Sequence, residues 1–283
     1  MTTSIILPVF GAPDSTRRCL NSVLSARNQT PTNLIVVDDG NDDARLLAHF
    51  AELAATGSIR LLRHEKNRGF VAAVNTGLRN APPGDALLLN SDTIVGDTWV
   101  DRMSRCAEAV PLCGTVTPFS NNATICSFPE FCRDNPLPPG WSPAALDGVF
   151  RRVNSAESCQ IPTGVGFCLL ITRQCRESVG LFDEQNFGRG YGEENDYCMR
   201  ATKLGFHHLL CADLFVYHEG GASFCDEKQE RVASAQQTLA RLHPEYAGLV
   251  AAFVNSDPVA LWRNRVLNAM REEGRDNSAA RWT

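Results

Sequence analysis

The sequence predicts an α/β protein with a mainly parallel central sheet flanked by helices, and three observations carry that prediction. Short apolar runs, Ser4 to Val9, Leu34 to Val37 and Leu87 to Leu89, are too brief for helices and stop at polar residues. The stretches between them place apolar residues three and four apart, as a helix with one buried face requires. The two patterns alternate four times in roughly ninety residues, which specifies βα units and hence parallel strands.

Taken in order, Ser4 to Val9 is a buried strand, and Asp14 or Ser15 can cap a helix through Leu20, Val23 and Leu24. Leu34 to Val37 is the second strand, closed by Asp38, Asp39 and Gly40, and Leu46, Leu47 and Phe50 mark the next helix. Ser58 to Leu62 is a third strand. Asn67 to Phe70 is a turn opening a helix whose apolar face holds Val71, Val74 and Leu78. The leucine strand follows and ends in Asn90, Ser91 and Asp92. A helix from Trp99 to Val110 and a strand from Gly114 to Pro118 come next. Residues 119–158 are rich in Pro, Asn and Ser, and a long irregular stretch in a compact protein reads as a functional loop or lid. Gly164 to Ile171 is a further strand, Phe182 to Gly192 a glycine-rich loop, and Glu193 to Leu204 a helix with an acidic first turn. His207 to His218 reads as strand, turn, strand, and Glu227 to Leu242 as a surface helix. The end, from Trp262 to Arg281, carries five arginines and an amphipathic first half with Leu261, Trp262, Val266, Leu267 and Met270. Such a tail is either a solvated terminal helix or one that lies on a membrane or a partner.

Composition bounds the function. With 43% hydrophobic and 21% charged residues over 283 positions, the chain has the material for a sizeable core. A net charge of −5 supplies no general basic field for a nucleic-acid backbone, so nucleic acid is not an expected partner. Neither an export signal nor a run of about twenty apolar residues is visible, so the expectation is a cytoplasmic protein, at most at the inner face of the membrane. Eleven scattered cysteines without a Cys-x-x-Cys pair read as reduced, small hydrophobes. His207, His208, Cys211 and His218 are zinc-ligand types, but they lack the paired spacing of a structural site.

Three acidic element ends carry the chemistry: Asp38-Asp39-Gly40, Asn90-Ser91-Asp92, and Gly192 with Glu193, Glu194 and Asp196. The first two close parallel strands, so both open on the edge where α/β sheets bind ligands. Asn90 and Asp92 offer hard oxygens of the kind Mg²⁺ or Mn²⁺ prefers, although a strand-ending Asp also commonly forms a turn. Asp39 can accept hydrogen bonds from a base or ribose, or simply begin an Asp-Gly turn. Glu193 and Glu194 can supply a proton acceptor, or complement the dipole at a helix start. Neither a Gly-x-Gly-x-x-Gly fingerprint after the first strand nor a P-loop lysine is present.

Together these residues resemble family 2 inverting glycosyltransferases of the GT-A fold, of the bacterial rhamnosyltransferase-like kind. The resemblance runs from residue 4 to about 223 through Ile6-Leu7-Pro8-Val9-Phe10, Val36-Val37-Asp38-Asp39-Gly40, Asn67-Arg68-Gly69-Phe70 with Asn75 and Gly77, and Leu89-Asn90-Ser91-Asp92-Thr93. It continues through Thr163-Gly164-x-Gly166-Phe167-Cys168, Gly180 to Glu184, Gly192 to Arg200, and Val216 to Ser223 with His218. It implies a catalytic domain over 1–223, divided into a nucleotide-binding half (1–95) and an acceptor and catalytic half (96–223), followed by a helical extension (224–283).

By the same resemblance, Pro8, Val9, Phe10 and Asp39 hold the nucleotide base and ribose, and Asn67, Gly69, Asn90, Ser91 and Gly164 join the donor-binding set. Asp92 and His218 hold a Mn²⁺ or Mg²⁺ ion on the donor diphosphate; Asn90 stands where the family pattern has a first Asp. Glu194 falls at the catalytic-base position, with Glu193 and Asp196 as the neighbours that a shifted register would select. The implied partners are a UDP- or dTDP-sugar donor and a glycan or lipid-linked saccharide acceptor. Two alternatives remain: a non-catalytic carbohydrate-binding scaffold that kept the fold, and a sugar-nucleotide nucleotidyltransferase, which the loop Phe10-Gly11-Ala12-Pro13-Asp14 disfavours because it lacks a basic phosphate cradle.

Overall fold

The computed structural model describes residues 2–188, 190–220 and 225–274. The N-terminal half lays down β1 (Thr3–Val9), α1 (Pro13–Ser25), β2 (Thr32–Asp38), α2 (Ala44–Ala55), β3 (Arg60–Arg63), α3 (Phe70–Asn80) and β4 (Ala86–Leu89). A short β5 (Thr93–Ile94) and α4 (Trp99–Glu108) lead to β6 (Cys113–Phe119), then α5 (Pro143–Val153), β7 (Ser158–Ile161) and β8 (Cys168–Ile171). The chain closes with α6 (Arg173–Val179), α7 (Glu184–Phe187), α8 (Glu193–Lys203), β9 (His207–Phe215), β10 (Tyr217–His218), α9 (Cys225–Leu242), α10 (Tyr246–Ser256) and α11 (Ala260–Glu272).

Eight strands form one sheet in the order β3-β2-β1-β4-β8-β6-β9-β7. β3, β2, β1 and β4 are parallel, β8 is antiparallel to both β4 and β6, and β6 runs parallel with β9. The carboxyl ends of β1, β2, β4, β6 and β9 therefore share one edge, and the segment entering β8 lies on that edge too. Alternation along the strands feeds two apolar layers, as two-sided burial of a sheet requires. Leu7, Val36, Leu87, Leu89 and Leu170 pack on the side of α1, α4, α5 and α11. Ile6, Ile35, Val37, Leu88 and Leu169 pack under α3, α6 and α8. The expected α/β architecture is thus present, with the mainly parallel sheet at its centre.

Several boundaries differ from the expectation for identifiable reasons. Pro13 opens α1 after Ala12 in a left-handed conformation, so neither Asp14 nor Ser15 caps it. β3 starts at Arg60, because the Ser58 amide is spent closing α2 on the Leu53 carbonyl (2.9 Å). Only Cys168–Ile171 of the predicted 164–171 strand joins the sheet, since the Gly164 and Val165 amides bond to Cys198 Sγ and Thr117 Oγ1. Residues 119–158 are not irregular throughout: Ser142 caps α5 through the Ala145 amide, and Leu146, Val149 and Phe150 bury its face. His207–Phe215 is one continuous strand, and no cluster of three or more His, Cys, Asp or Glu fit for a metal occurs among the described residues. His208 instead lies buried between Thr115, Thr202 and the Cys198 carbonyl, and burial pushes its imidazole down to about 4.

The amphipathic terminal helix forms as α11, but its apolar side chains Trp262, Val266 and Met270 are buried in the same core layer as α5. That face is not free to lie on a bilayer, and no described helix is long and apolar enough to cross one. Arg189, residues 221–224 of the motif around His218, and the basic end 275–283 lie outside the described residues.

One buried ion pair ties the second half together. Arg102 on α4 meets Asp147 on α5 through two parallel hydrogen bonds (2.9 and 2.6 Å), while Asp147 also accepts the Phe215 amide at the end of β9. Arg102 is 2% exposed, so no water can replace the partner. Removing one member of such a pair strands a buried charge, at about 3–5 kcal/mol. Arg102→Leu is expected to lower the urea-unfolding free energy by that amount, whereas Arg102→Leu with Asp147→Leu should recover much of it.

Candidate active site

The edge where β1, β2 and β4 end is built by backbone economy. Asp38 accepts the Asn41 amide (2.9 Å) and side-chain NH₂ (2.6 Å), and its other oxygen faces Arg63 Nε at 3.1 Å. Asn41 in turn holds the loop after β1, donating to the Val9 carbonyl (2.9 Å) and accepting the Gly11 amide (2.7 Å). Pro8 and Val9 are buried strand residues; what this loop presents outward is Phe10, 60% exposed.

Asp39 is 2% exposed, and its carboxylate is already engaged. Oδ1 accepts the Arg68 amide (2.9 Å) and faces His64 Nδ1 (2.6 Å); Oδ2 accepts the Gly69 amide (2.9 Å). The Asp38-Asp39-Gly40 corner therefore folds the 67–69 turn against itself. Gly40 makes this approach possible: with φ at +81°, a Cβ there would sit 2.5 Å from the Lys66 carbonyl carbon. Asn67 and Gly69 belong to this turn, and Gly69 precedes the first residue of α3. Asn41 and His64, absent from the sequence-derived set, are as much a part of the corner as Asp39.

Asp92 lies just past β4, and the two-residue ladder of β5 with β10 brings His218 to it, pairing Thr93 with His218. His218 Nε2 stands 3.2 Å from Asp92 Oδ1. Nδ1 donates to the Asn122 carbonyl (2.8 Å), which fixes the tautomer and turns Nε2 toward the carboxylate. Burial opposes charge on both groups. Their mutual attraction outweighs it, holding Asp92 below the ordinary carboxylate value and His218 above the ordinary imidazole one. Adjacent ligands of an octahedral ion with bonds near 2.1 Å stand about 3 Å apart, so this pair fits two positions around Mg²⁺ or Mn²⁺ and leaves the rest to phosphate oxygens and water. Asn90 completes the corner: its Nδ2 is 3.5 Å from His218 Nε2, and its buried Oδ1 has no hydrogen-bond partner among the described residues. Ser91 is half-buried at the turn, whose closure comes from Thr93 Oγ1 donating to the Asn90 carbonyl (2.8 Å).

The three acidic residues at the start of α8 have different fates. Asp196 is buried and committed, accepting from Arg200 Nε (2.8 Å) and pairing with His243 Nε2 (2.8 Å), and so ties α8 to the corner between α9 and α10. It is a structural residue in place of the proton acceptor that a shifted register would make it. Glu193 is 6% exposed, its Oε2 without a partner among the described residues; burial, then the neighbouring Glu194 charge, push its carboxyl well up. Glu194 is half-buried, its carboxyl raised by burial and moderated by amides at the helix start. Among the three, Glu194 alone combines partial exposure with a raised proton affinity, the combination a general base needs.

The segment 164–167 joins this carboxylate to the metal corner. A Cβ on Gly166 would lie 3.5 Å from Glu194 Cγ, and the next ring, Phe167, stacks on His218 with centroids 5.2 Å apart. Gly164 does not line the cleft: it is buried, and a Cβ there would come 2.3 Å from Leu169 Cδ1. The loop before α8 folds back toward the base corner, with Gly190 against Phe70 at the start of α3. The structure thus gathers Phe10, Asn90, Asp92, His218 and Glu194 along one edge, and assigns Asp39, Gly164 and Asp196 to holding that edge in shape.

Comparison with known proteins bears on the family and the fold. Residues 4–132 match the model described as "Glycosyl transferase family 2". A glycosyltransferase of Haloferax volcanii, AglE, is 26% identical over 100 residues, covering 35% of this chain and 33% of its own length. The N-acetylglucosaminyl-diphospho-decaprenol L-rhamnosyltransferase of Mycobacterium tuberculosis is 25% identical over 218 residues, 69% of either chain. The chain thus spans about a third of the archaeal relative and about two thirds of the mycobacterial one. A mannosyltransferase from Pyrobaculum calidifontis, solved with GDP-Man and Mn²⁺, shares the fold at a TM-score of 0.60 and 15% identity, over 99% of this chain and 77% of that one. The strand order and these likenesses together make residues 4–132 a match to glycosyl transferase family 2, within a chain that has the GT-A fold.

Proposed function

We propose that the protein transfers a sugar from a UDP- or dTDP-linked donor to a hydroxyl of a glycan or lipid-linked saccharide, by direct displacement with inversion at the anomeric carbon. The observation that carries this reading is the pairing of Asp92 with His218 at 3.2 Å on the same edge as the half-buried Glu194, with Gly166 and Phe167 between them. Phe10, 60% exposed on the loop that Asn41 holds after β1, offers a face on which a base stacks. When bound to Asp92 and His218, Mn²⁺ or Mg²⁺ neutralises charge on the departing diphosphate. Glu194 accepts the proton of the acceptor hydroxyl, and a single base opposite the leaving group makes inversion the stereochemical outcome. The names of the mycobacterial and archaeal relatives and the GDP-Man and Mn²⁺ of the Pyrobaculum enzyme support this chemistry by analogy.

The test is a donor panel read out as nucleotide release with Mn²⁺, Mg²⁺ or excess EDTA. Turnover with one sugar nucleotide and not with EDTA is expected; tight UDP binding with no turnover on any donor would favour the carbohydrate-binding scaffold. Phe10→Ala is expected to weaken UDP binding by roughly 1–3 kcal/mol, the usual contribution of one base stacked on an aromatic ring, without changing kcat. Isothermal titration with UDP and Mn²⁺ measures it.

A further inference from the structure

The start of the loop after β6 does something that neither the fold nor the proposed chemistry requires of it. Asn121 is 3% exposed, and its side-chain amide bonds to both main-chain groups of His218: Oδ1 accepts the His218 amide and Nδ2 donates to the His218 carbonyl, each at 2.9 Å. The neighbouring Asn122 carbonyl accepts His218 Nδ1–H at 2.8 Å. Two consecutive residues thus supply three hydrogen bonds to one histidine. On its other edge His218 pairs with Thr93 in a ladder only two residues long, and such a ribbon is too short to hold a side chain still by itself. The Asn121 amide takes the place of a third strand.

Asn121 is itself anchored. Its Nδ2 also donates to the Asn135 carbonyl (3.0 Å), and its own carbonyl accepts the Asn135 amide (2.9 Å) and side-chain NH₂ (3.2 Å). Asn135 closes the loop on itself through the Glu130 and Arg133 carbonyls, both 3.0 Å away. Both asparagines are buried, so these bonds do not exchange with water.

We infer that Asn121 is a positioning residue for His218, fixing its main chain where the Asn122 carbonyl can turn Nε2 toward Asp92, and that residues 120–135 form a rigid seat for this corner rather than a lid. The inference rests on the proposal that His218 binds the cation. A ligand histidine held through its main chain and its second ring nitrogen loses little freedom on binding, which raises affinity without any contact to the ion.

The experiment measures Mn²⁺ binding to the UDP complex by electron paramagnetic resonance of free Mn²⁺, for the native chain, Asn121→Ala, Asn121→Ser and His218→Ala, with melting curves of the metal-free proteins. Asn121→Ala is expected to bind Mn²⁺ 10- to 100-fold more weakly, the usual effect of losing an outer partner of a ligand, with Asn121→Ser in between. UDP affinity without metal should be unchanged, and saturating Mn²⁺ should restore turnover in the Asn121 variants but not in Asp92→Ala. Native Mn²⁺ affinity in a folded Asn121→Ala or Asn121→Ser overturns the inference. If His218→Ala also binds Mn²⁺ normally, the ligand role of His218 fails, and positioning of it fails with it. Should Asn121→Ala not fold, Asn121→Ser decides by the same measure.

Discussion

Asp92→Ala should abolish donor turnover, and excess EDTA should do the same to the native protein. Asp92 is the only carboxylate on the turn after β4, and it meets His218 at 3.2 Å. A divalent ion on a departing diphosphate contributes several kcal/mol of charge stabilisation, so losing its anchor removes about 10³-fold or more of the rate. Asp92→Asn tests the charge by itself: the shape stays and the anionic ligand goes, and nearly the same loss is expected. Asn90→Ala should do less harm, because a neutral amide adds little to the attraction of a cation. Nucleotide release measured against metal concentration separates these variants. Native turnover that persists in excess EDTA would sink the metal-dependent reading, whatever Asp92→Ala does.

How much of this was legible in the sequence follows a physical divide. The strands and the helices between them were visible because burial imposes a period on neighbouring residues, and Leu87 to Leu89 followed by Asn90 and Asp92 shows both the strand and its reactive end. The helix α5 was also legible in principle: Ser142 and Pro143 form a start signal, and Leu146, Val149 and Phe150 follow at helical spacing. The surrounding prolines obscured it. What could not be read was the division of labour among polar residues in one motif. Asp39 and Asp196 look like Asp92 in sequence, yet Asp39 is spent on the 64–69 turn and Asp196 on Arg200 and His243. Those partners lie up to 47 residues away, and no local pattern announces them. Asn75 and Arg200 follow the same rule. Asn75 clamps both main-chain groups of Phe182, and Arg200 holds the Val179 and Leu181 carbonyls, so these two motif residues fix the loop entering α7 and do not face the cleft. A family motif records the residues needed to build a site together with those that act in it, and only coordinates separate the two.

Glu194→Gln is expected to lower kcat by about 10²- to 10⁴-fold, the usual contribution of general-base catalysis, while leaving UDP and Mn²⁺ affinity nearly unchanged. The glutamine keeps the shape and the hydrogen bond with Asn195 (3.3 Å) but cannot take up a proton. α8 holds the side chain in place: Tyr197, Cys198, Met199 and Ala201 are buried, and Asp196 is locked to His243. The carboxyl is raised by burial, so the acid limb of the native kcat profile should lie above the ordinary glutamate range. The sign follows from the role: a base works when deprotonated, so kcat rises with pH through the folded value and levels off above it. In Glu194→Gln that limb should vanish along with most of the rate. Glu193 is buried in the core, its carboxyl pushed well up by burial, so Glu193→Gln should keep native kcat and its pH profile; Asp196→Asn should act mainly on stability, through its bonds to Arg200 and His243. If Glu194→Gln turns over normally and Glu193→Gln does not, the buried carboxyl is the base and the assignment moves by one residue. If both remain active, the acidic start of α8 serves the helix dipole and the inverting mechanism has lost its base.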